Sequence, residues 1–163
     1  MVRLLWKKGF TLFLIFSCQI GIADNKIITI TDSAQYIDKE VVATNIANEC
    51  TSLGAQFSDS TANYLTKYGW KVKRESTLPK KDITLKLSIK NAISAGNAWS
   101  GHRKSVSIKA EVYKNGELID TYTGTRNSGG GFGAGFKGSC KVLHRCVKTL
   151  GKDVSKWLNS TNI

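Results

Sequence analysis

From Asp82 the chain alternates between apolar and polar residues with a period of two. Ile83, Leu85, Leu87 and Ile89 take one side, and Thr84, Lys86, Ser88 and Lys90 the other. A helix cannot keep such a pattern on one face, whereas a strand with one face buried requires it. The whole stretch "DITLKLSIKNAIS" therefore reads as a half-buried antiparallel strand. Val106, Ile108, Ala110 and Val112 repeat the pattern against Ser107, Lys109 and Glu111. Asn115-Gly116 follows, the residue pair that best tolerates positive φ at both positions of a two-residue hairpin turn. "ELIDTYTGTR" then reads as the returning strand. Two earlier segments, "NKIITIT" and "WKVKRE", are short, β-branched or alternating, and also read as strands.

Two segments carry helical periodicity. Across residues 38–67, Val42, Ile46, Cys50, Leu53, Phe57 and Tyr64 recur every three or four residues or at multiples of that spacing. Gly54 weakens this helix, and Gly69 closes it. Across residues 141–158, Leu143, Val147, Leu150, Val154 and Trp157 share one face, while Lys141, Arg145, Lys148, Lys152 and Lys156 share another. Both helices must bury their stripes, and the strands offer one apolar face. The expected fold is α+β: an antiparallel sheet of four to five strands, with 70–75 leading into a meander, and two helices packed on one face. Residues 24–163 suffice for one such core, and no internal repeat is present.

The first 23 residues read as a signal peptide rather than as part of that core. Arg3, Lys7 and Lys8 precede the apolar run "GFTLFLIF", and "GIA" supplies small residues for cleavage before Asp24. The apolar run is short for a transmembrane helix. An alternative lies in "IFSC", a partial lipobox that would make Cys18 a lipidated N-terminus. Removing residues 1–23 takes three of the 24 basic residues and none of the 12 acidic ones, leaving 21 and 12, a net charge of +9. Such a balance favours acidic partners: an anionic membrane or glycan surface, or another polyanion. Nucleic acid is not expected, because the cations are not interleaved with exposed aromatic residues.

Export favours a disulfide among Cys50, Cys140 and Cys146. If Cys140 and Cys146 are both helical, about 9 Å of axial rise separates them, too far for a bridge. Cys50 is therefore expected to pair with one of them: Cys140 at the helix start, with Cys146 as the alternative partner. No metal site is expected, since His102 and His144 are the only histidines.

"RNSGGGFGAGFKGSC" holds six of the chain's fifteen glycines. Gly133, Gly135 and Gly138 spell G-x-G-x-x-G, but no βαβ unit follows, and "GFKGS" lacks the lysine-hydroxyl pair of a P-loop. No nucleotide or other cofactor is expected. The stretch reads as a connector whose Phe132 and Phe136 are candidate contacts for a partner or membrane. A second candidate contact is the link 94–104, with Trp99, His102, Arg103 and Lys104. The third is the basic stripe of the last helix. Catalysis finds thin support: no catalytic residue is assigned, and only Cys140 and His144, four apart, stack as a nucleophile–base pair would.

"AGNAWSGHRKSVSIKAEVYKNGELIDTYTGTRNSGGGFGAGFKGSC", followed by "LGKDVSKWL", resembles a family of exported Gram-negative bacterial proteins catalogued as a domain of unknown function. The resemblance is most specific at 96–104 and 129–140. The strand-helix-meander-helix plan is also similar to the N-terminal domain of the Tol-system protein TolB and to small envelope lipoproteins. The resemblance implies a periplasmic or outer-membrane-associated protein with no assigned activity, and supplies no catalytic residues. The reading of the chain as a whole is an exported, non-enzymatic envelope protein that acts by binding a partner or envelope component. The alternatives are a secreted basic protein aimed at a polyanionic or host target, and a small hydrolase. Intact mass of the protein recovered from its native producer tests the leader. A soluble chain starting at Asp24 and lighter by two hydrogens is the expected result, whereas a lipid-modified chain starting at Cys18 selects the tethered form.

Overall fold

The computed structural model describes residues 26–40, 42, 44–97, 101–129 and 138–163. Cys18 and the leader, Trp99, Phe132 and Phe136 lie outside them, as does the side chain of His102. The described chain is one α+β layer. In order it runs β1 (Ile27–Thr31), β2 (Gln35–Tyr36), α1 (Thr44–Glu49), α2 (Leu53–Lys67), β3 (Lys71–Glu75), β4 (Ile83–Asn97), β5 (Gly101–Lys114), β6 (Glu117–Gly129) and α3 (Ser139–Ser160). The six strands form one sheet in the order β3-β1-β4-β5-β6, with β2 also paired to β4.

The sheet is mixed rather than purely antiparallel. β4–β5 and β5–β6 are antiparallel. β1 is parallel to both β3 and β4, and β2 is parallel to β4. The segment 70–75 was expected to open the meander beside β4. It lies instead on the far side of β1, at the sheet edge. Two parallel neighbours need a crossover connection, and the helical segment between β1 and β3 supplies one. Lys71, Lys73, Arg74 and Glu75 keep the exposed edge charged, which disfavours pairing with a further strand.

The β4 alternation holds up to Ile89 and then reverses. Leu85, Leu87 and Ile89 are buried on one side; on the other Lys86 is exposed, but Thr84 and Ser88, expected to face solvent with it, are buried as well. Ile89 pairs with Ile108 but Asn91 pairs with Ser107, so Lys90 is an extra residue in a β-bulge. The bulge shifts the phase by one: Ala92 joins the buried face, and Ile93, which strict alternation would bury, is 40% exposed. The strands also continue to Asn97 and resume at Gly101, so most of the expected link 94–104 is strand. At the other end, Asn115 (φ 53°) and Gly116 (φ 86°) make the two-residue turn between Lys114 and Glu117.

Both long helices lie on the face that carries Leu85, Leu87, Ile108 and Val112. The segment 38–67 is not one helix. It breaks after Glu49, where Leu53 N–H donates to the Cys50 carbonyl in a turn. The apolar stripe keeps its phase across the break. Ile46, Cys50, Leu53 and Phe57 are buried, but the core then continues through Thr61 and Leu65 rather than Tyr64. Gly54 sits where a Cβ would fall 2.1 Å from the Ala34 carbonyl oxygen, so this first turn of α2 can approach the end of β1 only without a side chain. Ser58 Oγ donates to the Thr31 carbonyl and ties the same helix to the strand.

α3 buries Leu143, Val147, Leu150, Val154 and Leu158. Its outer turns are held to β6 by polar contacts. Arg126 Nε donates to Asp153 Oδ2 at 2.8 Å, and Trp157 Nε1 donates to Asp120 Oδ2 at 3.0 Å. Trp157 also packs on Tyr122 with ring centroids 5.6 Å apart. The two long helices run side by side in the same direction. Ser60 Oγ donates to the Lys148 carbonyl at 2.8 Å, and Ser155 Oγ to the Thr61 carbonyl at 3.0 Å. A Cβ on Gly151 would stand 2.6 Å from Ser60 Oγ and 2.8 Å from the Thr61 nitrogen. Gly151→Ala should therefore lower stability by about 1–3 kcal/mol through overpacking, read as a lower urea midpoint with the disulfide intact. An unchanged midpoint would show that the crossing yields at no cost.

Candidate functional site

The site follows from how the two helices are pinned. Cys50, in the turn before α2, and Cys140, in the first turn of α3, form a disulfide with Cα atoms 5.3 Å apart and 90 residues between them in sequence. A loop of that length makes the cross-link worth about 4 kcal/mol in the chain-entropy account. Cys146 is a buried free thiol six residues further along, and burial pushes its pKa up. The disulfide takes the Cys140 sulfur out of any pair with His144.

The disulfide near one end and the Gly151–Ser60 contact further along hold α2 and α3 in register. A groove of about 720 Å³ opens between their outer faces. α2 lines it with Gln56, Asp59, Asn63, Tyr64 and Lys67, and α3 with His144, Arg145 and Lys148. Ser60, buried through its bond to the Lys148 carbonyl, closes the space between them.

The groove is cationic. Its one carboxylate, Asp59, is engaged by Arg74, which also donates to the Asp32 carbonyl. Among the described residues, Arg145 and Lys148 take part in no salt bridge. The Lys67 ammonium stands 4.9 Å from the centre of the Tyr64 ring, within cation–π range. His144 Nε2 lies 3.4 Å from Ser52 Oγ at one end of the groove. Partial burial holds this imidazole below its ordinary pKa, so it is neutral at neutral pH and acts as a hydrogen-bonding group there.

The groove selects among the residues singled out in sequence. Lys141, Arg145, Lys148, Lys152 and Lys156 are all exposed, but of the five only Arg145 and Lys148 line it. Arg103 is exposed on β5, away from the groove. Lys104 is 6% exposed and engaged within the fold. Two residues before Val106, it follows the strand parity inward, which removes it from the contact surface expected of 94–104. Tyr64 was assigned to the core stripe, and Gln56, Asn63 and Lys67 to no role. Their spacing of seven and four residues places them on one polar face of α2, a signal visible in sequence. Which helix that face would meet was not.

No protein-family model and no curated protein matches the chain in sequence. Its likeness is to solved structures. A DUF330-family protein from Xanthomonas campestris superposes with a TM-score of 0.55 at 10% identity, over 82% of this chain and 83% of that one. The PelC dodecamer subunit from Paraburkholderia phytofirmans gives 0.51 at 16%, over 78% and 87%. A lipoprotein from Neisseria meningitidis gives 0.50 at 13%, over 83% and 99%. At these identities what is shared is the fold, and the fold is one found in proteins of Gram-negative bacteria.

The lowered pKa of His144 sets a pH dependence. The unfolded chain binds this proton more readily than the folded one, so the stability of the neutral form is present above the ordinary imidazole value of about 6.5 and falls as pH drops below it. The urea midpoint should decline between about pH 7.5 and about pH 5.5, and His144→Gln should flatten part of that decline. Equal slopes in the two proteins would assign the decline to other groups.

Proposed function

We propose that the chain is an exported, non-enzymatic protein of the cell envelope, periplasmic or outer-membrane-associated, that works by binding an anionic partner along α3 and the groove beside it. The observation that carries this reading is the pair Arg145 and Lys148. Both are charged, exposed and without an intramolecular salt bridge, and both face Lys67 across a concave surface whose only carboxylate is already engaged. Fixed cations of this kind attract an anion without rearrangement of the protein.

The envelope part of the reading draws on several supports. One is the leader read in residues 1–23. Another is the Cys50–Cys140 disulfide, a bond that persists in oxidising compartments. The third is the likeness in fold to a lipoprotein. Lipidation at Cys18 would tether the same domain to a membrane, and cleavage before Asp24 would release it. Kinship with the N-terminal domain of TolB belongs to the same proposal. The PelC neighbours are dodecamers, so self-association of this chain is a further part of the reading.

Retention on an immobilised anionic glycan tests the binding mode. Retention should fall steeply between about 0.1 and about 1 M salt, as the Debye length shortens from about 10 to about 3 Å. The double variant Arg145→Gln/Lys148→Gln should elute at lower salt than the parent. Retention that persists at high salt, or that the double variant leaves unchanged, would remove the cations from the mechanism.

A further inference from the structure

We infer that the groove between α2 and α3 is a saccharide site, and that its ligand is an acidic sugar or short acidic oligosaccharide. The inference rests on the anion-binding reading above and narrows it to one chemical class. Three features of the groove select that class. It is concave, at about 720 Å³ within the size range of small-molecule sites, and lies between two helices rather than on a protruding surface. The large apolar side chains exposed among the described residues are Ile27, Ile37, Tyr68, Ile93, Leu118 and Ile119, and none lines the groove.

The second feature is the mixture of donors. Arg145 and Lys148 supply charge for a carboxylate or phosphate, and Arg145 brings a planar fork suited to two parallel hydrogen bonds. Across from them, the amides of Gln56 and Asn63 each combine donor and acceptor capacity, the combination that a ring of hydroxyl groups requires. A simple inorganic anion would use the amides only as donors, and a neutral sugar would leave the charge of the cations without a counter-charge. The third feature is Tyr64. Its half-exposed ring is the one aromatic surface of the groove, and Lys67 stands beside it. A sugar presents C–H groups and an acid within a few ångströms of each other, which suits an aromatic wall next to a cation. Single-stranded nucleic acid would need a series of stacking rings, and the groove has one.

The experiment is titration of the intact, disulfide-bonded protein with trigalacturonate, maltotriose, glucose 6-phosphate, inorganic phosphate and phosphatidylglycerol vesicles, read by calorimetry and by amide chemical shifts. Trigalacturonate or glucose 6-phosphate should bind and shift resonances of α2 and α3 around residues 56–67 and 144–148. Maltotriose and inorganic phosphate should bind at least about tenfold more weakly, since each lacks one half of the recognition. Arg145→Gln should weaken the acidic sugar about tenfold and Asn63→Ala several-fold, with Lys156→Gln unchanged. All three altered side chains are exposed, and unchanged urea midpoints will show that the variants fold. Several outcomes would overturn the inference. If Lys156→Gln weakens binding as much as Arg145→Gln, or if Asn63→Ala has no effect, charge alone acts, and only the broader anion reading survives. If inorganic phosphate matches the sugars, the amides are idle. Binding to vesicles with none to either acidic sugar makes the ligand a membrane. Binding to none of these anions removes both readings.

Discussion

The architecture depends on a close parallel contact between α2 and α3. Gly151 brings the backbone of α3 against Ser60 and Thr61, where a single methyl group would overlap atoms less than 3 Å away. Hydroxyl-to-carbonyl bonds from Ser60 and Ser155 fasten the two helices at that point. Close approach here lets both helices lie on one face of the sheet and bury a continuous layer from Ile28 through Leu87 and Ile108 to Leu150 and Val154. It also fixes the separation of their outer faces. The groove is a consequence of the same contact: helices held close at a glycine leave a furrow where the outward side chains are long.

Two other devices place the helix pair on the sheet. The disulfide joins the two helix starts across 90 residues of sequence, and beside it His144 Nε2 lies 3.4 Å from Ser52 Oγ, so the polar face of α2 and the basic stripe of α3 stay opposed. On the far side, Arg126–Asp153 and Trp157–Asp120 tie α3 to β6. These polar contacts supply direction where the apolar core supplies mainly energy, because a hydrophobic face alone would tolerate a sliding or rotated helix. Among the described residues Arg145 and Lys148 form no salt bridge, while Asp59, Glu111 and Asp153 are engaged by cations of the fold.

Some of this was legible in the chain. Leu85, Leu87 and Ile89 announced a half-buried strand because strand side chains alternate strictly. Asn115-Gly116 announced its hairpin because few residue pairs accept positive φ twice in succession. The apolar stripe of α3 was readable from Leu143 to Val154 for the corresponding helical reason. The exposure of Ile93 was not legible, because the bulge at Lys90 leaves no mark in the hydrophobic pattern until the partner strand is known. Tyr64 was misread because the buried row of α2 runs from Phe57 at four-residue steps through Thr61 to Leu65, and a threonine leaves no mark in an apolar pattern.

The sequence by itself determined most of the elements, though not β2 or the break between α1 and α2, together with the α+β class and the surplus of positive charge, since these follow from local conformational preference and from counting. It also held both halves of the groove, one on each helix, as polar and basic stripes without partners. Tertiary structure decided that β1 enters between β3 and β4, that the sheet is therefore mixed, and that Arg145 and Lys148 of the five stripe cations meet Tyr64 and Lys67. The physical reason is that strand order and helix pairing depend on contacts between residues far apart in the chain. Those contacts are selected by the total burial and close packing of the whole domain, and no local spacing records them.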